Sequence, residues 1–465
     1  MLFNSLEFIF AFLPITYVVF WSLRYARSRY VWLTITGYVF YGWWDWRFCI
    51  LMAFSTLVSY TAGVAMLRYP VGSPARKRCL ILPIVADLSL LAFFKYANFG
   101  LETAHSIAGL LGISAPLPHL NIVLPIGISF YTFHTISYIV DCYRGTIKPT
   151  RNLWEFATYV SLFSQLVAGP IVRFRQIEAD LEAIGSASRT RWLGRGVSFF
   201  CIGLVEKVLI ADTLAALVDP SFARWSELST AGTWLAVLGY TFQLLFDFSG
   251  YSTMAVGLGY LFGIRIPQNF NSPYKALNPS DFWERWHISL SSCLRDYLYV
   301  PLGGNRDGTV RTYRNLMITM LFGGLWHGAS WSFVFWGFYH GMLLCVYRVF
   351  REPWDRLPAL LRQFVMFALV IVGWVFFRAP TFSVALGVLH NMVIPTSGLV
   401  ISDVQVQLVV VVGLIAAVWS MRGPNVFEIH HEWSPRRKVT LAAAFGAGLA
   451  LIITARPSPF LYFQF

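Results

Sequence analysis

Leu321-Phe322-Gly323-Gly324-Leu325-Trp326-His327-Gly328-Ala329-Ser330-Trp331 is an apolar, glycine-rich stretch that carries one ionisable side chain. Ionisable groups at membrane depth are costly and mark working sites more often than ordinary packing. Gly324 and Gly328 flank His327 and let backbone or substrate approach closely. The apolar piece before His327 has room for roughly 18 Å of helix at 1.5 Å per residue. That is little more than half of a hydrocarbon core of about 30 Å. The spacing therefore predicts His327 near mid-membrane, at the break of a helical hairpin interrupted at Gly323-Gly324 and again around Gly328. A second unusual histidine lies upstream, in Phe282-Trp283-Glu284-Arg285-Trp286-His287-Ile288-Ser289-Leu290-Ser291. Two such imidazoles in a greasy chain point to chemistry done within a bilayer.

The surrounding composition agrees. Of 465 residues, 57% are hydrophobic and 13% charged, with a mean hydropathy of +0.58. A soluble domain is usually about a quarter charged. Repeated apolar runs make the chain a polytopic membrane protein in contact with the lipid bilayer, and no charged stretch is long enough to build a separate soluble domain. The 18 Trp and 40 Phe suit interfacial belts and an aromatic-lined interior. The net charge of +13 is spread over the connections between apolar runs, which is the positive-inside pattern and argues against nucleic acid as a partner. The six cysteines show no CxxC or zinc spacing and read as small packing residues. The run 6–23 lacks a basic n-region and a small-residue cleavage site, so it reads as a retained helix.

Basic connections near Arg24, Arg76, Arg144, Arg173, Arg265, Arg348 and Arg422, if cytoplasmic, place both termini outside and imply roughly ten spans. The run 153–170 joins two cytoplasmic loops and must re-enter its own face, with Gly169-Pro170 as the break. Asn278-Pro279-Ser280-Asp281 reads as a helix start: cap, Pro at the first position, acid in the first turn. The amphipathic helix that follows carries Phe282, Trp286, Leu290, Cys293 and Tyr297 on one face, and Pro301 with Gly303-Gly304 ends it. The expected fold is an all-α polytopic membrane protein, one domain over 1–465, with re-entrant and interfacial helices and a catalytic block at about 240–345.

An imidazole titrates near neutrality and can take a proton from a hydroxyl nucleophile, which suits His327. His287 is open to a functional or a merely structural reading, because its helix suits the interface. Asp247, inside an apolar run, is expensive unless paired or hydrated; it could orient a histidine, line a polar tunnel or serve a structural hydrogen bond. Glu206-Lys207 reads as a buried pair, with Asp212 as a helix-end charge. Asp281, Glu284, Arg285, Arg295 and Asp296 read as helix-surface pairs, although some of the arginines could instead meet phosphates of a cytoplasmic cofactor. His430-His431-Glu432 reads as a solvated loop, so no metal is expected. His105, His119, His134, His340 and His390 receive no role.

At these residues the chain resembles the membrane-bound O-acyltransferase family. It is similar to the bacterial branch that holds the membrane subunit of alginate O-acetylation and the D-alanyl-transfer membrane protein of teichoic acid modification. The matching stretches include Leu124-Pro125-Ile126-Gly127-Ile128-Ser129-Phe130, Asp247-Phe248-Ser249-Gly250-Tyr251-Ser252, Pro267-Gln268-Asn269-Phe270-Asn271, Phe282 to His287, Arg295 to Arg306 and Gly324 to Ala329. Pro301-Leu302-Gly303-Gly304-Asn305-Arg306 and the ending Phe460-Leu461-Tyr462-Phe463-Gln464-Phe465 favour the alginate-type acetyl branch.

The resemblance implies helices around a central funnel or tunnel, with His327 as the catalytic histidine and His287 as the second important one. It implies acetyl-CoA as a cytoplasmic acyl donor and export of the acetyl group across a bacterial inner membrane. It also implies a periplasmic hydrolase-like acetyltransferase partner that completes transfer to an exopolysaccharide. Asp247, Ser249, Tyr251, Asn269, Trp286, Arg295 and Trp326 are candidates for lining the tunnel or holding the donor. Tyr462 is a candidate acyl relay beyond the last span; its aromatic neighbours would alternatively just anchor the terminus at the interface. Two other classes compete. A polysaccharide or lipid-linked substrate transporter also suits buried polar groups, but the two related halves common in transporters are not visible. A non-catalytic scaffold would need neither histidine.

Overall fold

The computed structural model describes residues 1–113, 120–167, 169–400, 406–429, 431, 434–454 and 460–461. Among these the chain is helical, with one isolated bridge between Leu228 and Leu399 in place of any sheet. It forms two compact units, Met1–Leu193 with Leu258–Pro267, and Gly194–Gly257 with Gln268–Phe465.

The first unit is held by phenylalanine packing. Phe8 lies 5.0 Å from Phe3, 5.9 Å from Phe40 and 6.3 Å from Phe163, ring centre to ring centre. Phe262 closes the cluster against Phe20 and Phe163 at 5.2 and 5.6 Å. Arg29 is buried there, and its charge is satisfied by donation to the carbonyls of Leu23 and Ile184 and by stacking over Phe20 and Trp21. The expected re-entrant run folds as two short buried helices, Leu153–Ser161 and Phe163–Leu166. At nine and four residues neither can cross a hydrocarbon core of about 30 Å. The chain is non-helical at Gly169-Pro170 as expected, and a further break falls earlier, at Leu162. The Gln165 side chain makes it tolerable by donating to the Tyr159 carbonyl at 2.6 Å.

Four helices among the described residues are long and apolar enough to cross a membrane: Trp46–Met66, Pro74–Leu110, Ala359–Arg378 and Pro435–Thr454. Roughly ten were expected. The shortfall has a chemical cause. Helices of ample length, such as Thr230–Leu261 and Thr309–His327, dilute their apolar residues with Gln243, Asp247, Arg311, Arg314 and Asn315. Gln243, Asp247 and Asn315 are buried inside the protein, and Arg311 and Arg314 lie exposed at the start of their helix.

In the second unit, Thr309–His327 and Trp331–Val349 form a tight hairpin. The expected break at Gly323-Gly324 does not occur: the helix runs through both glycines and stops at His327. These glycines serve close approach. A Cβ at Gly324 would sit 2.2 Å from the Phe333 carbonyl oxygen, and one at Gly328 would sit 2.2 Å from the Phe333 ring. The Asn278 cap is as the sequence predicts, its side chain accepting the Asp281 N–H at 2.8 Å with Pro279 following. The amphipathic helix beyond it is not continuous. It divides into Pro279–Arg285, Ile288–Leu294 and a wider turn, Arg295–Tyr299. Trp286 is extended between the first two, and His287 is left-handed at φ 44° and ψ 53°. A left-handed backbone is costly for a residue with a side chain, so the interruption must be held by bonds from elsewhere.

Gly324→Ala is expected to destabilise the hairpin by about 1–3 kcal/mol, the usual cost of forcing atoms into a filled interior. Thermal unfolding of the detergent-solubilised protein checks this through a lowered midpoint.

Candidate active site

The helix end and the helix break bring the two histidines together. The His287 and His327 rings lie 6.4 Å apart. His327 closes its helix between aromatic walls, with Trp326 at 4.9 Å, Trp336 at 5.0 Å and Phe377 at 5.2 Å. Its side retains 4% exposure, whereas His287 has none. His287 lies edge-on to Phe248 at 4.7 Å, beside Trp326 at 5.7 Å and stacked near Phe270 at 6.3 Å. Asn269 fixes it from the side, with Oδ1 3.1 Å from His287 Nδ1. The Asn269 carbonyl accepts the Ile288 N–H at 2.9 Å and so pins the left-handed turn. A neutral imidazole in a dry aromatic enclosure can accept a proton from a hydroxyl while water is kept away.

A family model described as membrane-bound O-acyltransferase matches residues 122–381, which covers both histidines and the hairpin between aromatic walls. The chain belongs to the membrane-bound O-acyltransferase family. It is 46% identical over 389 residues to the probable alginate O-acetylase AlgI of Pseudomonas aeruginosa, covering 83% of this chain and 73% of that one. The peptidoglycan O-acetyltransferase of Helicobacter pylori is 38% identical over 427 residues, with 84% and 80% covered. The teichoic acid D-alanyltransferase of Bacillus subtilis is 29% identical over 291 residues, with 58% and 73% covered. The protein is a membrane enzyme, an acyltransferase.

Within this acyltransferase the other expected residues scatter. Asp247 reaches neither histidine in its polar contacts; its carboxylate meets Lys207 Nζ at 2.5 Å and accepts the Leu461 N–H at 3.0 Å. Lys207 also meets Asp212 at 2.7 Å. The expected Glu206–Lys207 pair is therefore wrong: neighbours in sequence point to different sides of a helix and do not face each other. Glu206 instead accepts from Ser249 and Thr253 at 3.4 and 3.3 Å. Ser249, Ser252, Glu206, Asn269 and Phe270 line a cavity of about 60 Å³, room for several waters. Tyr251 is buried against Phe460 at 4.8 Å. Trp286 lies in an aromatic stack with Trp374, Phe270 and Phe282. Arg295 projects outward at 63% side-chain exposure and pairs with Asp296.

Tyr462 lies outside the described residues, as do His430 and Glu432. The neighbouring His431 ring engages Ser198 Oγ and the Val426 carbonyl. Among the described residues no group of three or more His, Cys, Asp and Glu is arranged to hold a metal ion. Sequence reasoning missed Trp336 and Phe377, which wall His327 from separate helices with no local pattern to announce them. It also left His340 without a role; that ring packs on Trp336 and Trp283 at 4.7 and 5.2 Å. Lys207 as the Asp247 partner was findable, since a buried carboxylate in an apolar run demands a cation and few are available.

Asp247→Ala strands Lys207 with one carboxylate fewer and frees the Leu461 N–H. The expected loss is about 3–5 kcal/mol, the range for breaking a buried pair from one side. Chemical denaturation in detergent measures it, and Lys207→Met with Asp247→Leu together should lose less than the two single changes summed.

Proposed function

We propose that this acyltransferase moves acetyl groups from cytoplasmic acetyl-CoA across the membrane for O-acetylation of an alginate-type exopolysaccharide. The observation that carries the reading is the pair of buried imidazoles 6.4 Å apart behind aromatic walls, in a chain similar at 46% identity to a probable alginate O-acetylase. In this reading His327 takes the proton of an acceptor hydroxyl as its oxygen attacks the thioester carbonyl. The carbon–sulfur bond then breaks, and the thiolate leaves with that proton. His287 bonds to the reacting groups from the other side. The dry enclosure protects the thioester from hydrolysis.

The direction of transfer follows from solubility. The charged donor cannot cross lipid, whereas a neutral acetyl group can be handed across. The wider architecture completes the proposal: one domain over the whole chain, roughly ten spans in a bacterial inner membrane, both termini periplasmic, and a tunnel that Ser249 and Asn269 help to line. A periplasmic hydrolase-like acetyltransferase takes over the acetyl group, with Tyr462 as its carrier. Support for the Tyr462 role comes from the adjoining residues. Phe460 and Leu461 are buried, with Phe460 against Tyr251 and near Phe248, whose ring also touches His287.

His327→Ala is expected to abolish polymer acetylation while membrane protein levels hold; normal acetylation in that variant rejects the assignment. Transfer of label from acetyl-CoA separates this enzyme from a carrier, which would leave no acetylated product. Tyr462→Phe should cut transfer to the polymer strongly, and undiminished output discards the relay.

A further inference from the structure

The orientation of one amide fixes the chemistry of one ring. Asn269 is buried in the second unit, between the helix that carries Ser252 and the broken helix that carries His287. Its two ends have distinct duties. Nδ2 donates to Ser252 Oγ at 3.1 Å. Oδ1 accepts the Ser289 backbone N–H at 3.2 Å and the Ser289 hydroxyl at 2.8 Å. The same Oδ1 stands 3.1 Å from His287 Nδ1.

The assignment of oxygen and nitrogen follows from chemistry. A backbone N–H can only donate, so the amide atom facing Ser289 must be the oxygen. The Ser289 hydroxyl also lies 3.4 Å from His287 Nδ1 but spends its hydrogen on Asn269 Oδ1 at 2.8 Å, and an amide oxygen can only accept, so the imidazole nitrogen facing it carries a hydrogen. In its neutral form the His287 ring therefore holds its proton on Nδ1 and a lone pair on Nε2. We propose that Asn269 is a positioning residue that locks His287 in the Nδ1–H tautomer, presenting Nε2 to the active site as an acceptor. The Asn269 main chain reinforces this through its carbonyl bond to the Ile288 N–H, which holds His287 in its left-handed conformation. One residue thus sets both where the ring sits and which nitrogen can take a proton. The group facing His287 across the site is the His327 imidazole, from the separate helix Thr309–His327.

This extends the proposed function by assigning His287 an accepting nitrogen, and it rests on that reading for its catalytic meaning. The test does not, because the ring itself reports the tautomer. Full-length protein labelled with ¹⁵N-histidine, in lipid bilayers near neutral pH, is read by solid-state NMR, with the His287 signals identified by their loss in His287→Gln. The expected spectrum has a protonated Nδ1 and a bare Nε2. A ring protonated on Nε2, alone or on both nitrogens, overturns the proposal even if acetyl transfer is established.

A kinetic arm separates positioning from simple packing. Asn269→Asp keeps an oxygen acceptor for the three bonds and should hold kcat within roughly tenfold. Asn269→Leu offers none and should lower kcat by about 10²-fold or more, with the donor KM little changed. Equal kcat for the Leu variant and the parent, or an Asp variant as slow as Leu, overturns the proposal. If the Leu variant fails to accumulate, the spectrum of the unaltered chain decides.

Discussion

Lys207 is 1% exposed and must keep its charge company in an apolar interior. It does so through Asp212 and Asp247, and the second of these ties the cation to the long helix Thr230–Leu261. The aromatic surface under His287 follows from where that helix is held. The second Asp247 oxygen binds the Leu461 N–H. Phe460, one residue earlier, lies on Tyr251 and near Phe248, which follow Asp247 along the helix by four residues and one. Phe248 in turn meets the His287 ring edge-on. An ion pair that touches neither histidine thus fixes the aromatic surface on which His287 rests. Burial makes the pair costly to form and still costlier to break from one side, which gives the arrangement its rigidity.

A second constraint acts on the two histidines themselves. In a dry interior every donor and acceptor needs a partner, and a left-handed residue with a side chain needs a compensating bond. Asn269 meets both needs at His287. His327 is placed by another device, the close approach of two helices that only glycine at 324 and 328 permits. Hydrogen bonding positions one ring and steric fit the other. Their separation of 6.4 Å depends on both.

Much of this was legible in the sequence. The two histidines, the cap at Asn278 and the acyltransferase motifs all stand in local patterns of residue type. What escaped lies in contacts between distant segments. Glycine pairs in a helix carry no mark that separates a break from a close approach; the Phe333 backbone opposite decides which it is. Apolar spacing from Phe282 to Tyr297 predicts one helix, yet a residue outside that stretch, Asn269, holds the break at His287 through its main-chain carbonyl and its side chain. Counting spans by hydropathy also fails where a membrane enzyme carries its polar residues on inward faces, as Thr230–Leu261 does with Gln243 and Asp247.

The two broken helices bear on the choice between transfer and transport. Carriers commonly pair discontinuous helices whose freed ends bind one cargo in equivalent ways. Here the breaks are chemically unlike. At Leu162 the freed carbonyl of Tyr159 is consumed by the Gln165 side chain of the same segment, so the interruption satisfies itself. At His287 the interruption presents an imidazole, held by a remote amide and facing a second imidazole. A transport site built from two equivalent half-helices would not spend one break on internal repair and the other on an imidazole held by a remote amide. An asymmetric pair of imidazoles behind aromatic walls suits acyl transfer as proposed above, because it offers one place for a proton to go and keeps water out.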